Sequence, residues 1–173
     1  MEEKAFPFSE QEVISFVQRN ADYYLGKWKK LHQTGSKLSW NWAAFLFNTL
    51  WLFYRKMYAY GFAVIGLSIV ANILTLPFII QNPDSTASLF ATLVSWLFSL
   101  GIWFLIGIYG NYLYYKKFVN TYYSLKNQVS DSDVLLEILK YKGGTNWAAA
   151  ILLLVVLLGL GAILGMIEEV SMK

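Results

Sequence analysis

The sequence predicts an all-α integral membrane protein with three transmembrane helices. Its composition is 57% hydrophobic and 14% charged, against roughly 45–50% and about 25% in ordinary soluble domains. Three apolar stretches without a formal charge are each long enough to cross the ~30 Å hydrocarbon core of a bilayer as a helix. They cover residues 57–80, 89–109 and 147–167. We therefore expect a single membrane domain over residues 1–173.

Residues 1–39 form a polar region that predicts an N-terminal amphipathic helix. Ser9 and Glu12 make a capping-box pattern, which is typical of a helix start. Apolar residues then recur at helical spacing as far as Leu31, with basic residues between them. We expect this helix to be soluble or to lie on the membrane surface, and to be either continuous or broken near Gly26. No cleaved signal peptide is expected, because the acidic N-terminus lacks a basic segment followed by an apolar run.

Residues 40–54 are apolar but too short for a span. A helix of this length reaches only ~22 Å, while the hydrocarbon core is ~30 Å thick. The segment also contains three tryptophans, which favour the headgroup interface. It is therefore predicted to be an interfacial or a re-entrant helix, and the sequence leaves both alternatives open.

Residues 110–146 form a polar region between the second and third spans. Its first half is predicted to continue the helix of the second span. The run Ser130-Asp131-Ser132-Asp133 is typical of a helix N-terminus, and Gly143-Gly144 is typical of a helix end. We expect one short helix between these two signals.

The distribution of basic residues predicts the orientation. If residues 40–54 do not cross the membrane, 13 of the 14 Lys and Arg residues lie on one side and only Lys173 lies on the other. If they do cross, the basic residues divide equally. Because cytoplasmic loops carry an excess of Lys and Arg, we expect the N-terminus and residues 110–146 to be cytoplasmic. The loop 81–88 and the C-terminus are then external.

The sequence gives no support for an enzyme. There is no cysteine, and the one histidine cannot form a metal site alone. No phosphate-binding loop, nucleophile elbow or paired acidic motif is present. No basic stripe accompanies a nucleic-acid recognition motif. We therefore expect no catalytic residue, cofactor, metal or nucleic-acid partner.

The segment WLFYRKMY, residues 51–58, is the candidate contact site. It combines cations, which suit lipid phosphates, with aromatic rings, which suit headgroup depth. We favour simple anchoring, and a specific lipid or peptide site is the alternative. The candidate residues are Trp51, Tyr54, Arg55, Lys56 and Tyr58.

The three spans contain no Asp, Glu, Lys, Arg or His, which disfavours a proton-coupled pump. Ser68 and Asn72 share one helix face, as do Ser95 and Ser99. We interpret these residues as partners in hydrogen bonds to their own backbone or to another helix, with a substrate path as the alternative. Residues 161–165 form a Gly-x-x-x-Gly motif for close helix packing, within the chain or between chains.

Several motifs resemble a family of bacterial membrane proteins, domain of unknown function 2628. They are Asp22-Tyr23-Tyr24 with Lys27-Trp28, Asn41-Trp42-Ala43-Ala44-Phe45, Trp51, Tyr54-Arg55-Lys56-Met57-Tyr58, Gly110-Asn111-x-x-Tyr114 and Gly143-Gly144-Thr145. The family pattern has a Gly-Pro-like pair where this chain has Asn48-Thr49, which weakens the expectation of a helix break there. The resemblance implies a bacterial inner-membrane protein and implies no activity.

Our first hypothesis is a non-enzymatic accessory or interaction protein of the inner membrane, because more than a third of the chain is polar and amphipathic. The expected partners are the bilayer, its anionic lipid headgroups, and another protein or a second copy of the chain. The alternative is an oligomeric transporter or channel for a lipid or small amphipathic solute.

Overall fold

The computed structural model describes residues 5–81 and 83–171, and these ranges form seven helices and no strand. The all-α prediction is confirmed. Residues 1–4, 82 and 172–173 lie outside the described ranges, and so does the external position expected for Lys173. The helices are α1 (Glu10–Val17), α2 (Ala21–Thr34), α3 (Trp42–Tyr54), α4 (Tyr58–Gln81), α5 (Thr86–Lys126), α6 (Ser132–Lys142) and α7 (Trp147–Ser171).

Within the described residues, three helices are long and apolar enough to cross a membrane: α4, α5 and α7. Helices α5 and α7 contain the predicted spans 89–109 and 147–167, and α4 covers the predicted span 57–80 except for its first residue, Met57. Helix α5 has 41 residues and is about 62 Å long at 1.5 Å per residue, twice the ~30 Å hydrocarbon core. Its apolar half suffices to cross a bilayer, and residues 110–126 extend beyond it. The predicted continuation of the second span is therefore confirmed.

Helix α3 is the short apolar helix expected over residues 40–54. The side chain of Asn41 caps its N-terminus by accepting a hydrogen bond from the Ala44 amide at 2.9 Å. Asn48 interrupts the helix, with φ 41° and ψ −114°. The break that the family pattern predicts at this point is therefore present, although Asn48-Thr49 replaces the Gly-Pro-like pair. α3 packs against α4, α5 and α7.

The polar N-terminal region forms two helices instead of one helix broken near Gly26. The predicted capping box of Ser9 and Glu12 is present, with reciprocal hydrogen bonds of 2.7 and 3.2 Å. The chain turns between α1 and α2 at Gln18 (φ 57°) and Asn20 (φ 63°), while Gly26 lies inside α2. Tertiary contacts stabilise the turn, because the side-chain amide of Gln18 donates to the Lys140 carbonyl at 2.7 Å.

We call α1, α2, α6 and residues 110–126 of α5 the cap. Its core is aromatic: Trp28 stacks on Phe118 with centroids 5.2 Å apart, and Tyr114 packs edge-on to Trp28 at 5.4 Å. Leu135 and Leu139 of α6 are buried in the same cluster. By contrast, α4 and α7 leave most of their apolar side chains exposed, as expected for helices that lipid surrounds.

Helix α6 begins and ends as predicted. The Asp131 carboxylate accepts hydrogen bonds from the amides of Asp133 and Val134, at 2.8 and 3.3 Å. After α6, Gly144 adopts φ 71° and its amide donates to the Phe16 carbonyl at 2.6 Å. A Cβ on Gly143 would collide with that carbonyl. The two glycines therefore allow α1 and α6 to approach closely.

Polar residues in the spans mostly bond to their own helix. Ser68 donates to the Val64 carbonyl at 3.0 Å, and Ser99 donates to the Ser95 carbonyl at 2.9 Å. Ser95 also donates across to Thr75 of α4 at 3.0 Å. Our interpretation of these groups as backbone and interhelical partners is confirmed. The Gly-x-x-x-Gly motif of α7 has no described atom within 4 Å of an added Cβ at either glycine, so no close packing within the described chain uses it.

Candidate functional site

The candidate segment 51–58 forms the tight connection between α3 and α4. Lys56 adopts φ 55°, and the Met57 amide donates to the Leu52 carbonyl at 2.8 Å. This geometry turns the chain sharply after Tyr54. As a result, the side chains of Arg55 and Lys56 point to different surroundings.

Arg55 lies inside the protein, with 2% of its surface exposed. Its guanidinium donates to the Arg19 carbonyl at 3.0 Å and to the Val17 carbonyl at 3.3 Å. Three tyrosine rings surround it, with centroids 4.6 Å (Tyr24), 5.2 Å (Tyr114) and 5.3 Å (Tyr54) from the guanidinium carbon. The prediction that Arg55 grips a lipid phosphate needs correction, because its guanidinium is enclosed by protein atoms.

No carboxylate within residues 5–81 and 83–171 forms an ion pair with Arg55. Burial also raises the pKa of the Tyr114 hydroxyl above its usual value, so this tyrosine is a neutral neighbour and not an anion. Ring faces and carbonyl dipoles therefore compensate for the lost hydration of the guanidinium. Such a cage fixes the α1–α2 turn to the end of α3.

Lys117 of the cap is a second cation that contacts the α3–α4 connection. Its ammonium donates to the carbonyls of Arg55 at 2.9 Å and Lys56 at 3.1 Å. Burial, together with the positive charges of Lys56 and Arg55, lowers the pKa of Lys117 from its ordinary 10.5 to about 8. Lys56 itself donates to the Tyr141 carbonyl at 3.0 Å. These three cations therefore bind α5 and α6 to the α3–α4 connection.

The aromatic members of the segment lie at the junction of α3, α4 and α7. Trp51 is buried, and Tyr54 packs edge-on to Trp147 with centroids 4.7 Å apart. The Tyr58 hydroxyl accepts a hydrogen bond from the side-chain amide of Asn146 at 2.8 Å. The structure thus brings the five candidate residues into one region. Lipid contact by Trp51, Tyr54, Lys56 and Tyr58 stays a prediction.

A groove of about 380 Å³ lies beside this junction, between α3 and α7. Its lining residues are apolar or aromatic except for Arg19, the middle one of the three residues between α1 and α2. The Arg19 guanidinium lies 5.9 Å from the Trp147 ring centroid. No local sequence pattern indicates this role of Arg19, because the connection between α1 and α2 depends on tertiary contacts. Other lining residues include Phe47, Leu50 and Trp51 of α3, and Trp147, Ile151 and Leu154 of α7.

Asn111 is a buried polar centre that joins α5 to the segment before α3. Its side-chain oxygen accepts from the Asn41 amide at 2.8 Å, and its own amide donates to Ser39 Oγ at 3.0 Å and Tyr23 Oη at 3.2 Å. Its backbone carbonyl accepts from the Trp28 indole at 3.2 Å. Both asparagines belong to the motifs that carried the family resemblance, and the network gives those motifs a structural role.

The fold and this junction define a helical protein with three membrane-compatible helices and a folded cap at one end of them. The chain belongs to the family described as "Protein of unknown function (DUF2628)", whose model matches residues 9–119. The matched region contains α1 to α4, most of α5, the Arg55 cage and the Asn41–Asn111 pair. Comparison with curated proteins and with solved structures found no match.

Proposed function

We propose that the protein is a non-enzymatic accessory protein of a bacterial inner membrane, whose cytoplasmic cap binds a partner protein. The observation that carries this proposal is the packing of the cap. Its largest fully buried side chains include Trp28, Tyr114, Phe16 and Phe118. Ordering the packed cap costs conformational entropy at every residue. Membrane anchoring alone does not require a cap packed in this way.

The surface of the cap suits an acidic protein partner. The predicted cytoplasmic side carries 13 of the 14 basic residues and 8 of the 11 acidic residues of the chain, so positive charge is in excess there. Helix α6 exposes Val134 and Tyr141, with Tyr141 79% exposed, and these residues lie on one helix face. Lys140 and Lys142 flank that face. An apolar centre with a charged rim is the usual anatomy of a protein interface.

The orientation of the cap rests on the positive-inside rule. A cytoplasmic cap accounts for the concentration of basic residues, and the loop between α4 and α5 is then external. The alternative, an oligomeric transporter, has less support, because Ser68, Ser95 and Ser99 already donate hydrogen bonds within the chain.

Site-specific photocrosslinking in native membranes tests the proposal. A benzophenone amino acid at Tyr141 should give a discrete protein adduct, and the same probe at Asp84 in the α4–α5 loop should not. Combining the Tyr141 probe with Lys140→Glu and Lys142→Glu should abolish the adduct if the partner is acidic. Adducts with lipid alone, or the same protein adduct from both positions, would contradict the proposal.

A further inference from the structure

The α3–α7 groove has the shape and chemistry of a site for an amphiphile. Its volume, about 380 Å³, lies in the range of ~300–1,000 Å³ that is typical of small-molecule sites. One wall is α3 and the other is the first two turns of α7, from Trp147 to Leu154. The described lining contains a single charged residue, Arg19.

Arg19 is a cation without a partner in the described chain. Its side chain is exposed, and no hydrogen bond or ion pair of its guanidinium is found within residues 5–81 and 83–171. Its one described contact is the face of the Trp147 ring, 5.9 Å away. Several donor groups of Arg19 are therefore free to bind an anion.

The backbone of Arg19 is held rigidly. Its two neighbours, Gln18 and Asn20, both have positive φ, a conformation that costs a non-glycine residue free energy and persists only where the surroundings enforce it. The enforcing contacts are the Arg55 hydrogen bond to the Arg19 carbonyl at 3.0 Å and the Gln18 hydrogen bond to Lys140 at 2.7 Å. The fold thus fixes the backbone from which the exposed Arg19 side chain reaches the groove.

The groove has a polar end and an apolar end. Arg19 and Trp147 lie where the cap meets α7, and the lining continues along α7 to Ile151 and Leu154. Tryptophan and arginine suit the headgroup level of a bilayer, while the aliphatic residues suit hydrocarbon. A molecule with one anionic head and a long apolar chain matches this order.

We propose that the α3–α7 groove binds one anionic phospholipid from the surrounding bilayer. Its phosphate binds the Arg19 guanidinium through charge-assisted hydrogen bonds, and one acyl chain lies between Phe47 and Leu154. The buried cation Arg55, which forms no ion pair with a carboxylate within the described residues, adds positive potential near this end of the groove. This site is separate from the α6 surface proposed for a protein partner, so either proposal can fail without the other.

Native mass spectrometry of the detergent-purified full chain, titrated with phosphatidylglycerol or phosphatidylcholine, tests the inference. The protein should retain one phosphatidylglycerol with an affinity at least about tenfold above that for phosphatidylcholine, the ratio that corresponds to ~1.4 kcal/mol. Arg19→Gln should remove the preference. Lys30→Gln, which removes an exposed positive charge on α2, should leave it unchanged.

A second variant tests the groove itself. Ile151→Trp fills the space between α3 and α7 while keeping Arg19, and it should weaken phosphatidylglycerol retention about tenfold or more. Unchanged size-exclusion elution and thermal unfolding identify variants that fold normally. Equal retention by wild type and Arg19→Gln, or full retention by a folded Ile151→Trp variant, would overturn the inference and indicate lipid adhering to the surface only.

Discussion

The guanidinium carbon of Arg55 lies 5.2 Å from the ring centroid of Tyr114, in the interior of the protein. This contact joins the α3–α4 connection to the cap half of α5. Since the same guanidinium also bonds the carbonyls of Val17 and Arg19, one side chain links three parts of the fold. We expect the cap to depend on it more than on any exposed cation.

Arg55→Met should destabilise the protein by about 2–4 kcal/mol, because it leaves two carbonyls without their charged donor. Arg55→Lys should recover only part of this loss, since an ammonium lacks the planar fork that reaches both carbonyls. Unfolding in mixed micelles during SDS titration measures the change. Lys30→Met is the control and should change stability by less than about 0.5 kcal/mol. A similarly small effect of Arg55→Met would contradict this account of the cage.

The buried pair of Asn41 and Asn111 should behave as one unit. Asn111→Ala removes the acceptor of the Asn41 amide and should cost about 1–3 kcal/mol. Asn41→Ala also removes the helix cap of α3, which is worth ~1 kcal/mol. In a double-mutant cycle the two changes should be non-additive by at least about 0.5 kcal/mol. Strict additivity would show that the pair does not interact.

Two glycines of α5 should respond oppositely to the same substitution. A Cβ on Gly110 would lie 2.9 Å from the Ala44 Cβ of α3, whereas a Cβ on Gly101 would have no described neighbour within 4 Å. Gly110→Ala should therefore destabilise by about 1–3 kcal/mol. Gly101→Ala should be neutral or stabilising by up to ~1 kcal/mol, since alanine favours helices. SDS titration of both variants measures the difference, and equal effects would contradict close α3–α5 packing at Gly110.

Lys117 should make stability depend on alkaline pH. Its pKa of about 8 in the folded protein lies below its ordinary 10.5, so above pH ~8 the unfolded chain binds more protons than the folded one. Stability should then rise with pH through this window. Thermal unfolding of the wild type and of Lys117→Met should be compared between about pH 7 and 9.5. The stability of the wild type should rise with pH relative to that of the variant. Lys116→Met, an exposed neighbour, should keep the rise. A wild-type advantage that falls with pH would contradict the assignment.

Hydropathy and helix-capping patterns predict the spans and the ends of several helices. The three spans, the long α5 and the Asp131 cap of α6 each depend on neighbouring residues, so the sequence carries their signals. The position of Arg55 depends on Tyr24 and Tyr114, which are distant in sequence. An Arg-Lys pair after an apolar run is typical of a membrane interface, and no local pattern distinguishes a buried arginine there.

The turn between α1 and α2 was wrongly predicted for the same reason. Glycine lowers helix stability, so Gly26 was the best local candidate for a break. Hydrogen bonds from Arg55 to Val17 and from Gln18 to Lys140 outweigh that preference and place the turn at residues 18–20. Arg19 reaches the α3–α7 groove only as a consequence of this turn.

The central claim of this account is that the cap and the loop between α4 and α5 lie on opposite sides of a membrane. The chain has no cysteine, so a thiol reagent labels each single-cysteine variant only at the introduced residue. Lys116→Cys in the cap and Asp84→Cys in the loop are both exposed positions. In intact cells a membrane-impermeant maleimide should label Asp84→Cys, and it should label Lys116→Cys only after permeabilisation. Labelling of both variants in intact cells, or of neither before permeabilisation, would contradict the topology.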